Sequence, residues 1–282
     1  MTNGPPRIFD RHAQALHRAR ASRRNGDRFL CDVAIDGLMA RLVPVNRKFT
    51  RGLAVLGDVP AALRNLAPAW HTGLLDDMDR LDVADGGFDL AVSVLWLHSV
   101  NDLPGVLAQV KRALNPDGLF AAAMFGGSTL TELRESLAAG EIATLDGITP
   151  RVAPFADVRE LGTLLQRAGF ALPVADVERT TVRYRAFKTL VDDLRLMGET
   201  NALAGRQRTL RRDTLRAALE RYGTKHSDEQ GKLLATFDIA YLIGWSPHES
   251  QQQPLRPGSA KMRLADALGT SEHPTGDKAR PR

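Results

Sequence analysis

A chain of 282 residues, 43% hydrophobic and 25% charged, has the make-up of an ordinary globular protein with room for one large domain and a subdomain. It holds no apolar run of about 18 residues, so no transmembrane helix is expected, and its single Cys31 excludes an internal disulfide and any cysteine-based zinc site. The formal charge of +5 comes partly from the two ends, Arg7–Arg28 and Lys278–Arg282. No aromatic-interleaved basic motif accompanies them, so nucleic acid is not an expected partner; an acidic protein, or peripheral contact with an anionic membrane surface, fits better.

Residues 1–6 (MTNGPP) read as disordered. Phe9 to about Ser22 favours a basic helix. Phe29–Leu42 favours an amphipathic one, with Phe29, Val33, Leu38 and Leu42 on its apolar side. Together they make residues 1–50 an N-terminal helical segment. Gly52–Leu56 (GLAVL) is a short apolar strand, followed by a turn at Gly57-Asp58 and a brief helix ending near Leu66; Ala69–Leu75 is the next strand candidate. Phe88–Leu97 is continuously apolar, as a strand buried on both faces of a parallel sheet must be. Asp102–Leu114 carries Leu103, Val106, Leu107, Val110 and Leu114 at helical spacing behind an Asn101 or Asp102 cap.

Asn115-Pro116-Asp117-Gly118 predicts a turn, because proline fixes φ and Asp-Gly accepts positive φ. A further strand at Leu119–Phe125 follows. Helices are then expected at Thr129–Ala139, Val158–Ala168, Phe187–Met197 and Leu210–Tyr222, with strands at Val174–Arg183 and Thr236–Trp245. The helical insertion spans about residues 185–225 of a domain running from 51 to 255. After about Arg256 periodicity fades and Pro, Gly and charge increase, which predicts a disordered tail over 256–282.

Alternating strands and helices imply an α/β fold with a doubly wound, mainly parallel sheet. Such sheets bind ligands beyond the carboxyl ends of their strands, where the strand order reverses. The loops after Leu56, Leu75, Leu97 and Phe125 are therefore the expected functional ones.

Several segments carry a closer likeness. FDLAVSVLWLHSVNDLPGVL, LNPDGLFAAAMFGGSTLTELR, PFADVRELGTLLQRAGF, LMGETNAL and IGWSPHESQ resemble NADH dehydrogenase complex I assembly factor 5, with IFDR near the N-terminus adding to the match. The wider group includes the malonyl-ACP methyltransferase of biotin synthesis. The strand-to-LNPDG portion marks only the class I S-adenosylmethionine (SAM) methyltransferase fold, which is Rossmann-like; AMFGG with GWSPHESQ is the more specific signature. The resemblance implies a SAM-binding domain whose N-terminal helices help to cover the cofactor. It also implies a role in respiratory complex assembly, acting on a protein substrate that is possibly a complex I subunit, through arginine modification. Two alternatives stand beside this: an orthodox SAM-dependent methyltransferase with a remodelled loop, and a non-catalytic assembly chaperone. Residues 7–24 are rich in Arg and His, as a transit peptide would be. The family-like IFDRH begins at Ile8, however, and a cytoplasmic bacterial protein, peripheral to the inner membrane at most, is the expectation.

The cofactor loop departs from the family pattern. A typical first motif has an acid and then alternating glycines, which let the backbone approach the ligand. Ala54-Val55-Leu56-Gly57-Asp58-Val59-Pro60-Ala61 keeps only Gly57, with Val55 in place of the acid and Val59 and Ala61 in place of later glycines. Asp58 is either a substitute anchor or a helix N-cap. Asp77 follows Gly57 by only 20 positions, whereas a complete βαβ unit takes about 30 residues or more. One strand–helix unit is thus reduced, including the strand that would present the acid for the ribose.

By the resemblance, Gly57, Asp58, Asp77, Met78, Leu95 and His98 are the cofactor-binding candidates. Asp77 and Met78 match the pair flanking adenine, or else belong to a solvated acidic loop with Asp76 and Asp79. Trp96, Phe125, Gly126, Gly127, Glu199, Asn201 and Trp245 are the substrate-side candidates, with His248 and Arg151 behind them. His98, at the end of the central strand, is the one candidate acid or base. No cysteine cluster or facial His-His-carboxylate spacing marks a metal site.

Overall fold

The computed structural model describes residues 7–145, 147–205, 209–252 and 262–271. The disorder expected of residues 1–6, and of 256–261 and 272–282, concerns positions outside the described residues. The chain divides into two units, residues 1–248 and 249–282. In the second, the described residues form one short helix, Leu264–Leu268, which Gly269 ends at φ +64°.

The first unit opens with α1 (Arg11–Ser22) and α2 (Phe29–Leu42), followed by β1 (Arg51–Val55), a 3-10 turn at Ala61–Leu66 and β2 (Ala69–Gly73). Next come β3 (Phe88–Val94), a 3-10 turn at Leu97–Ser99, α3 (Leu103–Ala113), β4 (Leu114–Gly126) and α4 (Thr131–Thr144). The unit closes with α5 (Val158–Arg167), β5 (Ala171–Tyr184), α6 (Phe187–Met197), α7 (Arg212–Lys225) and β6 (Leu233–Trp245). Among the described residues no helix is long and apolar enough to cross a membrane.

The six strands form one sheet in the order β2-β1-β3-β4-β6-β5. β2, β1, β3 and β4 run parallel, β6 is antiparallel to β4, and β5 is antiparallel to β6. The α/β class and the mainly parallel, doubly wound sheet are therefore as the sequence implied.

Period-2 alternation in β4 divides its side chains between the two faces. Leu119, Ala121, Ala123 and Phe125 join the core beneath α2, α4, α6 and α7, while Phe120, Ala122 and Met124 join the core beneath α3 and α5. α2 contributes Leu30, Ala34, Leu38 and Leu42, one residue every fourth. Phe29 and Val33, expected on its inner stripe, are only partly buried, so that stripe is rotated toward Leu30 and Ala34.

The reduced unit is visible in the connections. A short 3-10 turn replaces a full helix between β1 and β2. Residues 74–87 return to β3 without a helix, pinned by a bridge between Leu75 and Leu81. The predicted Asn115–Gly118 turn is absorbed into β4 as a bulge: Phe88 pairs with Leu114, but Leu90 pairs with Leu119, and Asp117 takes φ +62°. The adjoining strand pairing carries β4 through the turn and pushes the extra residues outward.

Candidate functional site

β1 and β3 both end on a strained residue. Leu56 follows β1 at φ +73° and Leu95 follows β3 at φ +54°. A non-glycine residue in the left-handed region costs about 1–2 kcal/mol. Two such residues, side by side at the carboxyl edge of a doubly wound sheet, mark the place where ligands bind in this fold class.

α1 lies across this edge. Asp10 caps it by accepting from the Ala13 amide, and Arg11, Gln14 and Arg18 share one face by their spacing of three and four. Arg11 donates to the Asp76 carbonyl at 2.5 Å and pairs with Asp79. Gln14 donates to the Ser99 carbonyl at 2.7 Å, and Arg18 to the Leu95 carbonyl at 3.1 Å. Upstream, Asn101 accepts from the amides of Ile8 and Phe9. The face of the basic helix that carries Arg11, Gln14 and Arg18 is thus turned inward, because the loops after β2 and β3 offer carbonyls and a buried acid.

A cavity of about 180 Å³ lies on the substrate side, walled by His98, Phe125, Phe155, Glu199 and Arg18 among others. His98 Nε2 is 3.0 Å from Glu199 Oε2. Its ring meets Phe125 edge-on at 5.1 Å and lies 5.9 Å from Phe155. His98 is 7% exposed, and its Nδ1 has no hydrogen-bond partner among the described residues. Burial pushes the Glu199 carboxyl up, but His98 and Arg18 outweigh this and hold it below the usual carboxylate range. Burial also lowers the Arg18 guanidinium, with Glu199 opposing. A half-buried carboxylate between two nitrogen groups beside aromatic walls can hold a cation, or fix which imidazole nitrogen carries a proton.

Asn201 lines the same cavity and accepts from the Leu203 amide at 3.0 Å. Arg151 also lines it, and its Nε reaches the fully buried Glu141 at 2.7 Å, holding the loop that presents Val152 and Phe155. Cys31 is half-buried, and burial pushes its thiol up to about 11, which suits a packing residue and not a reactive thiol.

A second cavity of about 530 Å³ lies where the resemblance expects the cofactor, lined by Arg11, Arg18, Leu56, Leu74, Asp77 and Trp96 among others. Asp77 is exposed on its wall, whereas Met78 is 64% exposed and points elsewhere. Asp79 departs from the solvated acidic loop: it is 7% exposed, paired with Arg11, and accepts from the Asp102 amide at 2.8 Å.

Over Gly57 there is almost no space. A Cβ there would collide with the indole nitrogen of Trp96, and the gap around Ala54, Gly57, Asp58 and Trp96 is about 10 Å³. Gly57 thus allows Trp96 to approach, where the family pattern would have it admit the cofactor. The residues around Gly57 do not fit SAM, because an aromatic ring fills the loop that the family pattern would keep for the cofactor. Asp58 is exposed and is not the N-cap, since the 3-10 turn begins after Pro60 without a side-chain cap.

The remaining candidates separate. Leu95, buried, contributes its carbonyl. Gly126 packs on Ala240, and Gly127 bonds to the Ala156 carbonyl; neither lines the substrate-side cavity that Phe125 walls. Trp245 is at the wrong end of the sheet. β6 runs antiparallel to β4, so Asp238 pairs with Gly126 near the cleft while Trp245 pairs with Leu119 at the opposite edge, and His248 follows it there. Arg18, Gln14 and Phe155 were missed. The one signal for Arg18 was its position in a helix that precedes the first strand, where this fold carries covering helices. Among the described residues no group of three or more His, Cys, Asp or Glu is placed to hold a metal ion.

Residues 36–173 match the methyltransferase domain family. Just under half of the chain is therefore similar to that family. Its match to the mitochondrial arginine-hydroxylase NDUFAF5 of Dictyostelium discoideum is 44% identical over 68% of this chain and 45% of that protein. A malonyl-[acyl-carrier protein] O-methyltransferase of Laribacter hongkongensis is 37% identical over 64% of this chain and 59% of its own. The chain thus spans about half the length of the curated relatives it matches. The YcgJ protein of Bacillus subtilis, a solved structure, is similar at 11% identity and a TM-score of 0.49, over 75% of this chain and 98% of its own.

Proposed function

We propose that this protein is an assembly factor of the complex I type, which receives an arginine-bearing segment of a protein partner on the substrate side of its methyltransferase fold. The observation that carries the reading is the cavity where Glu199 and His98 meet beneath Phe125 and Phe155. A half-buried carboxylate beside aromatic walls suits a cationic, planar side chain. The 44% identity to an arginine-hydroxylase supports the same residue type. A place peripheral to the membrane, in the compartment where such complexes mature, follows from the reading.

Trp96 over Gly57 favours a second reading, in which the protein holds its partner without using SAM. One experiment separates the two. The full chain is incubated with candidate complex I subunits, with and without SAM, and the captured subunit is examined by mass spectrometry. An oxygen added to an arginine supports the first reading. Capture without a mass change supports the holder, and an added methyl identifies an orthodox methyltransferase. Absence of capture and of modification for every subunit overturns the proposal.

A further inference from the structure

Arg18 is gripped as a ligand would be. Its guanidinium lies 3.5 Å over the Trp96 ring, donates to the Leu95 carbonyl at 3.1 Å, and meets Glu199 Oε1 at 3.3 Å. Gly198, at φ +79°, brings the backbone so close that a Cβ there would stand 3.0 Å from Arg18 Cγ. An aromatic face, a carbonyl and a carboxylate are the three groups that together select a guanidinium over an ammonium, because the planar fork can stack and donate at once.

These groups come from the end of β3 and the segment after α6; only Arg18 itself comes from α1. It is also a wall shared by the two cavities of about 530 and 180 Å³, and so stands between them. The strained φ of +54° at Leu95 belongs to the residue whose carbonyl accepts from Arg18. A residue that merely fastened a helix would need neither the stacked ring nor the strained carbonyl, and Arg11 and Gln14 already fasten α1.

We infer that Trp96, the Leu95 carbonyl and Glu199 form a guanidinium-binding subsite, and that Arg18 occupies it in place of the arginine side chain of a protein partner. The inference rests on the function proposed above and names the group recognised there. Withdrawal of Arg18 with α1 frees the ring face and the carboxylate together and joins the two cavities. Entry of the partner's arginine and release of α1 are then one exchange, with like replacing like.

The test is a full chain carrying Arg18→Ala, titrated with methylguanidinium and, separately, with methylammonium, and followed by calorimetry and by the thermal midpoint. Methylguanidinium is expected to bind about tenfold more tightly to the variant than to the wild type and to raise the variant's midpoint. Methylammonium should do neither, and adding Glu199→Gln should abolish the response. Equal responses to the two cations, no response to either, or a response indifferent to Glu199→Gln would overturn the inference.

Should Arg18→Ala not fold, Arg18→Met keeps the packing of the stem. If that too is unfolded, recovery of the fold by methylguanidinium alone supports the subsite, and failure to recover overturns it. A partner modified at arginine without any guanidinium response would sink this inference and leave the proposed function standing. A guanidinium response without capture of any partner would do the reverse.

Discussion

The two cavities at the carboxyl edge of the sheet are neighbours with opposite construction. The substrate-side cavity is walled mainly by core residues, Phe125, 2% exposed, and His98, 7% exposed, with Gln14 and Arg18 of α1 closing one side. The cofactor-side cavity is walled by exposed Asp77 on the loop after β2 and by Trp96, and its shape depends on where α1 rests. The difference teaches that a cleft can keep one half while the other is rebuilt, provided that different elements support them. β4 and the segment after α6 hold the first half. The shortened β1–β2–β3 connections, together with α1, hold the second.

The contrast can be broken most forcefully at Phe125. Its ring contacts His98, Phe155 and Phe237, and Phe125→Ala is expected to cost about 3–5 kcal/mol, measured by urea unfolding. A loss below about 1 kcal/mol would show that the substrate side is not core-supported.

Glu199→Gln comes next, removing the carboxylate shared by Arg18 and His98, at a cost of about 2 kcal/mol near neutral pH. The sign with pH is determined. The folded-state pKa of Glu199 is depressed below 4.5, so its contribution is present above 4.5 and is lost as pH falls through the depressed value. Wild type and variant should therefore converge in acid, and parallel pH profiles would contradict the pairing.

Trp96→Ala probes the other half. It should lower stability by less than Phe125→Ala, since Trp96 is only partly buried, and should increase SAM affinity by about tenfold or more by clearing the space over Gly57. Calorimetry that found strong SAM binding to the wild type, unchanged in the variant, would remove the obstruction from the account. The smallest effect is expected at Asp77→Ala. The side chain is exposed, so the unfolding midpoint should not move measurably, and any change should appear only in nucleoside binding.

Much of the fold was legible because it rests on local patterns. The continuous apolar run at Phe88 and the heptad-like spacing at Val106, Leu107 and Val110 can each form one element with one buried surface. The Asn115–Gly118 turn was misjudged for a related reason: its residues do favour a turn, but neighbouring strands imposed a ladder that took the turn in as a bulge. At the site, Glu199, Asn201, Phe125 and His98 were legible from the resemblance and are brought to one cavity. Trp245 was equally prominent in the sequence and lies at the far edge, because strand direction is not written in composition.

The sequence by itself determined the α/β class, the shortened unit between Gly57 and Asp77, and the loss of glycines around Gly57, since these depend on spacing and residue type alone. Only the tertiary structure decided what filled the vacated space. Trp96 and Arg18 are 78 positions apart in the chain, and nothing local to either signals the other. Their meeting depends on α1 crossing the ends of β2 and β3, an arrangement set by Arg11 on Asp79 and by Gln14 on Ser99. Such contacts form only after the sheet exists, so the identity of the occupant is a property of packing rather than of pattern.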